Sequence, residues 1–501
     1  MSVARAPALA FAVVLAAAGM ASVAAPARPA LPASAPLQKP AAATAQTLSH
    51  GLFTGVQVFR PAGEVKQFVL LLADEAGPDA TERQLAQAMT KAGALVAAVP
   101  LAPFHRRLAA QGGSCLYAAG AFENLAHQVQ AIEKLPTYLE PMLVGAGASR
   151  AAFAYGVMAQ APAGSFVSAL SLGFCPRLDD RTPLCATNAL RWQAAAGGRG
   201  VELQPATQAV APWAAVQGGS ETAACSASTA QAFVARVPQA SWEPLPPGAL
   251  AATAGSAAPA GFDAAYARLA THRVSLGAPP AQLADLPIIE VPVTAASATA
   301  GSDAGNARRF AVLLSGDGGW AGIDKSIAAA LAKQGVPVAG FDSLRYFWSA
   351  RTPEGLAADL DRLIRYYAAR WQRSEVLLIG YSQGADVLPF AINRLPARTR
   401  ASVQLTALLG LGQKAAFEFH VTHWIGASGD RPIAPEAQKL SAASTLCIHG
   451  SDERDSLCPQ LAPKHVRALA LPGGHHFGGD YDALAGRILE AVPSSPPRPS
   501  R

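Results

Sequence analysis

Short runs of apolar residues alternate along most of this chain with longer stretches in which apolar positions recur every three or four residues. The runs include Phe68–Leu72, Ala94–Val99, Phe310–Leu314, Val336–Phe341 and Val376–Ile379. Within them no polar residue breaks the sequence, so each predicts a strand buried on both faces. The intervening periodicity predicts amphipathic helices. Strands of this kind alternating with helices predict an α/β fold with a mainly parallel sheet covered on both sides. Ligands then sit at the carboxyl ends of the strands.

The pattern occurs twice. In the second half, Phe310–Leu314 is followed by Ser315-Gly316-Asp317-Gly318-Gly319-Trp320, then by a helix ending at Ala332-Lys333-Gln334-Gly335 and the next strand. In the first half, Phe68–Leu72 leads through Ala73-Asp74-Glu75-Ala76-Gly77 to a helix ending at Thr90-Lys91-Ala92-Gly93 and then Ala94–Val99. The glycine after each lysine is the expected left-handed helix stop. Val376–Gly380 matches Pro141–Gly145, and Leu409-Gly410-Leu411-Gly412 matches Leu170-Ser171-Leu172-Gly173. The Gly450-Ser451 loop running to Cys458 matches Gly219-Ser220 running to Cys225. Two tandem copies of one α/β unit are expected, at 49–250 and 307–492. A linker region at 251–306 would carry a short helix at Phe262–Thr271 and an extended run at Pro287–Val293.

The ends read differently. Arg5, the apolar stretch Ala8–Ala18 and the small residues Ser22-Val23-Ala24 predict a cleavable signal peptide at 1–24, too short to span a bilayer. A flexible Ala/Pro-rich lead follows at 25–48, and 493–501 reads as a disordered tail. Export to the periplasm makes the six cysteines candidates for disulfides. Cys175 with Cys185 and Cys447 with Cys458 would close small loops, leaving Cys115 and Cys225 as a third pair, although spacing does not fix connectivity. Among 501 residues, 51% are apolar and 15% charged, which suits packed domains. A net charge of +6 without a basic run gives nucleic acid no footing. No Cys-x-x-Cys occurs and His475-His476 lacks evident partner ligands, so neither a metal nor another cofactor is expected.

Candidate chemistry gathers in the second copy. Gly380-Tyr381-Ser382-Gln383-Gly384 follows an apolar strand and precedes a helix, the setting of a nucleophile elbow in the α/β-hydrolase fold. An acid and then a histidine should follow in that order. The histidine is His475 or His476, in Gly473-Gly474-His475-His476-Phe477. The acid lies in Gly450-Ser451-Asp452-Glu453-Arg454-Asp455. Asp455 is the first choice because it precedes the Ser456-Leu457-Cys458-Pro459 helix start, followed by Asp452 and then Glu453. An oxyanion hole would use the backbone N–H of Gln383 and one from the loop Gly316–Gly319, with Asp317 favoured. The first copy has Gly147 where the nucleophile belongs and no histidine near Trp242, which predicts an inactive domain serving packing, lid formation or partner binding. Ser149 reads as a residue of a helix N-terminus rather than a nucleophile.

As a set, Ser315–Trp320, Ser343–Trp348 with Thr352-Pro353-Glu354, Gly380–Phe390 and Gly473–Phe477 resemble the VirJ/AcvB family of bacterial virulence-associated periplasmic proteins. The resemblance spans roughly 310–490, and the tandem first domain is similar to the longer, AcvB-like members. It implies a periplasmic esterase that releases the amino acid from aminoacylated phosphatidylglycerol, chiefly lysyl-phosphatidylglycerol, at the membrane surface. It also implies an association with type IV secretion components. A cationic amino acid would favour carboxylates near the pocket, with Asp317, Asp342 and Glu354 as candidates. Arg345, Tyr346, Phe347 and Trp348 are expected as a pocket wall, a membrane-facing rim or core packing. A general carboxylesterase or lipase, or a non-catalytic docking scaffold, are the competing expectations.

Overall fold

The computed structural model describes residues 46–74, 77–110, 115–178, 183–195, 200–208, 210–217, 225–245, 261–272, 280–293, 305–320, 322–419 and 430–493. The expected signal peptide, nearly all of the lead, the Gly219-Ser220 loop, residues 251–260 and 294–304 of the linker region and the tail beyond 493 lie outside them.

The first copy builds an eight-stranded sheet from β1 (Gln46–His50), β2 (Phe53–Phe59), β3 (Gln67–Ala73), β4 (Ala94–Pro100), β5 (Met142–Ala146), β6 (Ser168–Leu172), β7 (Trp213–Gln217) and β8 (Ala240–Pro244). Their spatial order is β1-β2-β4-β3-β5-β6-β7-β8. The second copy contributes β9 (Ile288–Val291), β10 (Arg309–Leu314), β11 (Val338–Phe341), β12 (Glu375–Tyr381), β13 (Val403–Leu409), β14 (Thr445–Gly450) and β15 (Arg467–Leu471). Its seven-stranded order, β9-β11-β10-β12-β13-β14-β15, repeats the first without the outermost strand. In both, one antiparallel strand flanks a parallel run. This is the α/β-hydrolase topology, present twice.

Burial explains the regularity. Every residue of β3, β4, β10 and β12 is buried, which requires cover on both faces, and separate clusters of apolar side chains pack on each side of each sheet. The helix Ala80–Lys91 starts on a capping box between Asp79 and Glu82 and stops at Gly93, whose φ of 97° only glycine adopts cheaply. The two elements expected in the linker region divide between the copies. The helix Phe262–Ala270 lays Phe262, Ala265, Tyr266 and Leu269 on the first sheet, while β9 pairs with β11 and forms the edge of the second.

The repeat is in register with one correction. Leu72 of β3 faces Gly145, and Leu314 of β10 faces Gly380. The N–H of Gly147 donates to Leu172, as the N–H of Ser382 donates to Leu409. The counterpart of Leu409 is therefore Leu172 and not Leu170, a slip of two residues in the sequence match. Gly173 and Gly410, next in each copy, share a positive φ of 75° and 68°.

The cysteines form three disulfides, Cys115–Cys185, Cys175–Cys225 and Cys447–Cys458, with Cα separations of 4.7, 5.0 and 5.5 Å. The third is the expected pair. The other two exchange partners relative to expectation, because the loops carrying Cys175 and Cys185 diverge: Leu116, beside Cys115, bridges to Leu184. No cysteine is free, the state of a protein exported to an oxidising compartment. Among the described residues no helix is long and apolar enough to cross a membrane.

The copies meet over a mixed surface. Leu344 of the second enters the apolar core of the first. Trp348 donates its indole N–H to the Leu135 carbonyl at 2.7 Å, stacks on Phe419 with centroids 5.3 Å apart and abuts Tyr138. Arg345 pairs with Glu140, and the Lys325 ammonium donates to the Ala163 carbonyl.

Candidate active site

Strand β12 runs straight into the helix Gln383–Ile392, and the residue at the junction, Ser382, takes φ 53° and ψ −119°. A side-chain-bearing residue enters this region only under constraint. The constraint is visible in the flanking glycines. A Cβ on Gly380 would lie 2.4 Å from the Gly384 carbonyl oxygen, and one on Gly384 would lie 2.3 Å from that of Leu314. Only a strand–turn–helix without those methyl groups can close so tightly, and it leaves Ser382 at the strand end. Gln383 opens the helix, so its N–H is one of the first-turn donors without an intrahelical acceptor.

Beside the elbow lies the loop after β10. A Cβ on Gly316 would sit 3.4 Å from that of Ser382, so this loop runs close against the serine. Asp317 follows, and burial raises its carboxyl above the usual range. The neighbouring His475, and the N–H groups of Asp317 and Gly318 on which the carboxylate rests, pull it back down.

The histidine loop and the acid loop meet at the ends of β14 and β15. His475 presents Nδ1 to the Glu453 carboxylate in direct hydrogen-bonding contact. The other Glu453 oxygen accepts the N–H of Gly450 at 2.6 Å, and the Glu453 N–H closes a turn onto the Gly450 carbonyl. That turn curls Glu453 back over the strand end. The carboxylate against the histidine is thus Glu453, neither the first choice Asp455 nor the second choice Asp452. Asp455 lies beyond the turn, where its carbonyl accepts from Gln413, and the Asp452 side chain accepts from Ser451. The imidazole of His475 packs over Gly410, where a Cβ would come within 2.6 Å of its Cε1. Tyr381 donates its hydroxyl to the His475 carbonyl at 3.3 Å and packs its ring against the imidazole. His476 faces the same cavity, and its pKa is lowered by burial and then by His475, against a smaller upward pull from Glu453.

Ser382, His475 and His476 line one cavity of about 800 Å³. Its far wall comes from the first copy, through Leu52, Leu108, Tyr117, Glu123 and Pro162. Three carboxylates, Glu123, Asp317 and Asp324, border it, and no lysine or arginine is among its lining residues. Of the other acids expected near the pocket, Asp342 caps the helix Ser343–Phe347 and pairs with Arg345, and Glu354 pairs with Arg394 on the surface. Tyr346 and Phe347 are core residues, while Arg345 and Trp348 serve the contact between copies. Among the described residues no cluster of histidine, cysteine and carboxylate side chains could hold a metal.

The first copy keeps the turn and loses the chemistry. Gly147 stands at the elbow with φ 83°, and Gly145 is again crowded, its Cβ position 2.2 Å from the Arg150 carbonyl oxygen. Arg150 reaches back over Gly147 and pairs with Glu82 at 2.8 Å, with Asp74 and Asp79 at 3.6 Å. An ion-pair network thus occupies the strand ends that are open to a cavity in the second copy. Ser149 is exposed in the first turn of the following helix.

Residues 308–495 match the family model described as bacterial virulence protein VirJ. No curated protein matches the chain. Solved structures similar to parts of it include an α/β serine hydrolase without a lid from Xanthomonas campestris, at 17% identity over 37% of this chain and 84% of that one, with a TM-score of 0.24. Est1E from Butyrivibrio proteoclasticus, solved with ferulic acid, is similar at 12% identity over 41% and 93% of the two chains, TM-score 0.30. The poly(3-hydroxybutyrate) depolymerase LpqC from Bordetella parapertussis is similar at 14% over 43% and 88%, TM-score 0.29. The strand order and the strained turn at Ser382 are those of the hydrolase fold. The stretch matched by the VirJ family model, residues 308–495, is the part of the chain that carries the second sheet and the elbow.

Proposed function

We propose that this chain is a periplasmic serine esterase that cleaves the aminoacyl ester of aminoacylated phosphatidylglycerol, lysyl-phosphatidylglycerol above all, through an acyl-enzyme on Ser382. The observation that carries the reading is the strained turn at Ser382 opening into the same cavity as His475, whose Nδ1 is held by Glu453.

In this mechanism His475 takes the Ser382 hydroxyl proton as the serine oxygen attacks the aminoacyl carbonyl. Glu453 fixes the imidazole with Nδ1 protonated, so that Nε2 is the accepting atom, and stabilises the imidazolium. The carbonyl oxygen becomes an oxyanion that the Gln383 N–H and the Gly316–Gly319 loop stabilise. Its collapse breaks the ester bond, and His475 returns the proton to the departing glycerol oxygen of phosphatidylglycerol. Water, deprotonated by the same imidazole, then hydrolyses the aminoacyl-serine and frees the amino acid. The carboxylate border of the cavity supports a cationic acyl group, because a lysyl substrate brings positive charge beside the scissile bond.

The test is release of lysine from vesicles containing lysyl-phosphatidylglycerol, followed for the wild type and Ser382→Ala. Release by the wild type alone supports the reading. Turnover of short acyl esters without lipid turnover would assign a general carboxylesterase instead. Absence of both, with Ser382 unlabelled by a fluorophosphonate, would leave the scaffold role, with type IV secretion components as its partners.

A further inference from the structure

The domain that lacks a nucleophile supplies one wall of the cavity in which the other domain's nucleophile sits. The helix Ala118–Ile132 delivers Glu123 to that wall, with Tyr117 just ahead of its first turn. Two features hold the wall in place. Leu344 and Trp348 of the second domain are embedded in or packed on the first domain's core, and the Trp348 indole is hydrogen-bonded to Leu135, just beyond the end of that same helix. A surface with an apolar anchor and a directed hydrogen bond fixes position more tightly than a polar contact alone.

Glu123 is therefore set across the cavity from the catalytic groups rather than out in solvent. The Ser165 hydroxyl beside its carboxylate favours the ionised form. Lys325 lies near and is drawn to the Ala163 carbonyl, Asp342 is a further charged neighbour, the Arg345–Glu140 pair shares a small adjoining cavity with Glu123, and Asp317 and Asp324 border the main cavity from the second domain. Burial pushes the Glu123 carboxyl up to about 7, so a cation placed beside it would favour its ionised form and gain a charge pair.

We infer that the first domain acts as a fixed half of the substrate pocket and that Glu123 is its specificity-determining residue, selecting an aminoacyl group whose side chain carries a positive charge. The inference rests on Ser382 being the nucleophile, since that is what makes this cavity the acyl site.

The test uses the full chain in a Ser382→Ala background, so that binding is read without turnover. Lysine methyl ester and norleucine methyl ester differ chiefly in the side-chain ammonium, and NMR titration gives an affinity for each. Ser382→Ala should bind the lysine ester about tenfold more tightly, the size of a charge pair in a partly screened site. Adding Glu123→Gln should collapse that ratio toward one. The two affinities come from one sample, so any unfolded fraction cancels in the ratio. Equal affinities in Ser382→Ala, or a preference that survives Glu123→Gln, would overturn the assignment of Glu123. The lipid reading fails separately. If the wild type leaves lysyl-phosphatidylglycerol intact while the Glu123-dependent preference is present, the pocket assignment stands and the substrate assignment falls.

Discussion

Ser382 has a backbone conformation that a side-chain-bearing residue adopts at a cost, and the first copy relieves it with Gly147. Such strain is worth ~1–3 kcal/mol. Ser382→Gly should therefore stabilise the protein by about 1 kcal/mol in urea unfolding while abolishing turnover. A destabilised variant would show that the turn is not strained. The acid offers a sharper comparison. Glu453→Gln keeps the shape of the side chain but loses its charge, and kcat should fall by roughly 10²–10⁴, whereas Asp455→Asn should remain within about threefold of wild type. The reverse ranking would restore Asp455 to the site. The serine was legible in the sequence because the elbow demands glycine at fixed offsets. The acid was not, because three carboxylates share one loop and only the Gly450–Glu453 turn decides which reaches His475. Likewise the sequence places His475 and His476 side by side, and it is the Glu453 contact that separates them. Glu123 carries no local sequence signal at all, since its role depends on which side of a helix meets another domain.

The elements show where periodicity suffices and where it stops. Buried strands and helix stops were readable because each follows from local chemistry: unbroken apolar runs, and glycine at left-handed positions. Register between the copies was readable only to within two residues. Leu409-Gly410-Leu411-Gly412 matches Leu170–Gly173 by its Leu-x-Leu-Gly pattern and Leu172-Gly173 only by its first two residues, yet the hydrogen bonds from Gly147 and Ser382 choose the second alignment. Disulfide partners were not readable, since Cys115 reaches Cys185 through strand-end loops far apart in sequence. The elbow helix packs closely against the end of β10. Gly384→Ala would put a methyl group 2.3 Å from the Leu314 carbonyl oxygen. Backbone would have to move, so the loss should reach or exceed the ~1–3 kcal/mol of ordinary overpacking. Urea midpoints would show it, and an unperturbed midpoint would mean that the turn is looser than described.

In the whole molecule, the first copy and the second meet at the surface around Trp348. His127 lies on that surface, with its ring against Tyr138 and near Phe419, and burial lowers its pKa to about 3 from the ordinary 6.5. The unfolded chain takes up a proton on this residue as pH falls through 6.5, while the folded chain resists until about 3. Stability from His127 is thus present above 6.5 and lost progressively as pH falls between those values. His127→Gln should flatten that part of the pH profile in urea unfolding, and an unchanged slope would remove His127 as its source. The central claim, that Ser382 carries the aminoacyl group, is tested most directly by trapping it. The full chain is mixed with lysyl-phosphatidylglycerol vesicles, quenched in acid within milliseconds and digested for mass spectrometry. A lysyl group on the peptide containing Ser382, absent from Ser382→Ala, is the predicted result. Lysine released at full rate with that peptide never modified would contradict the account.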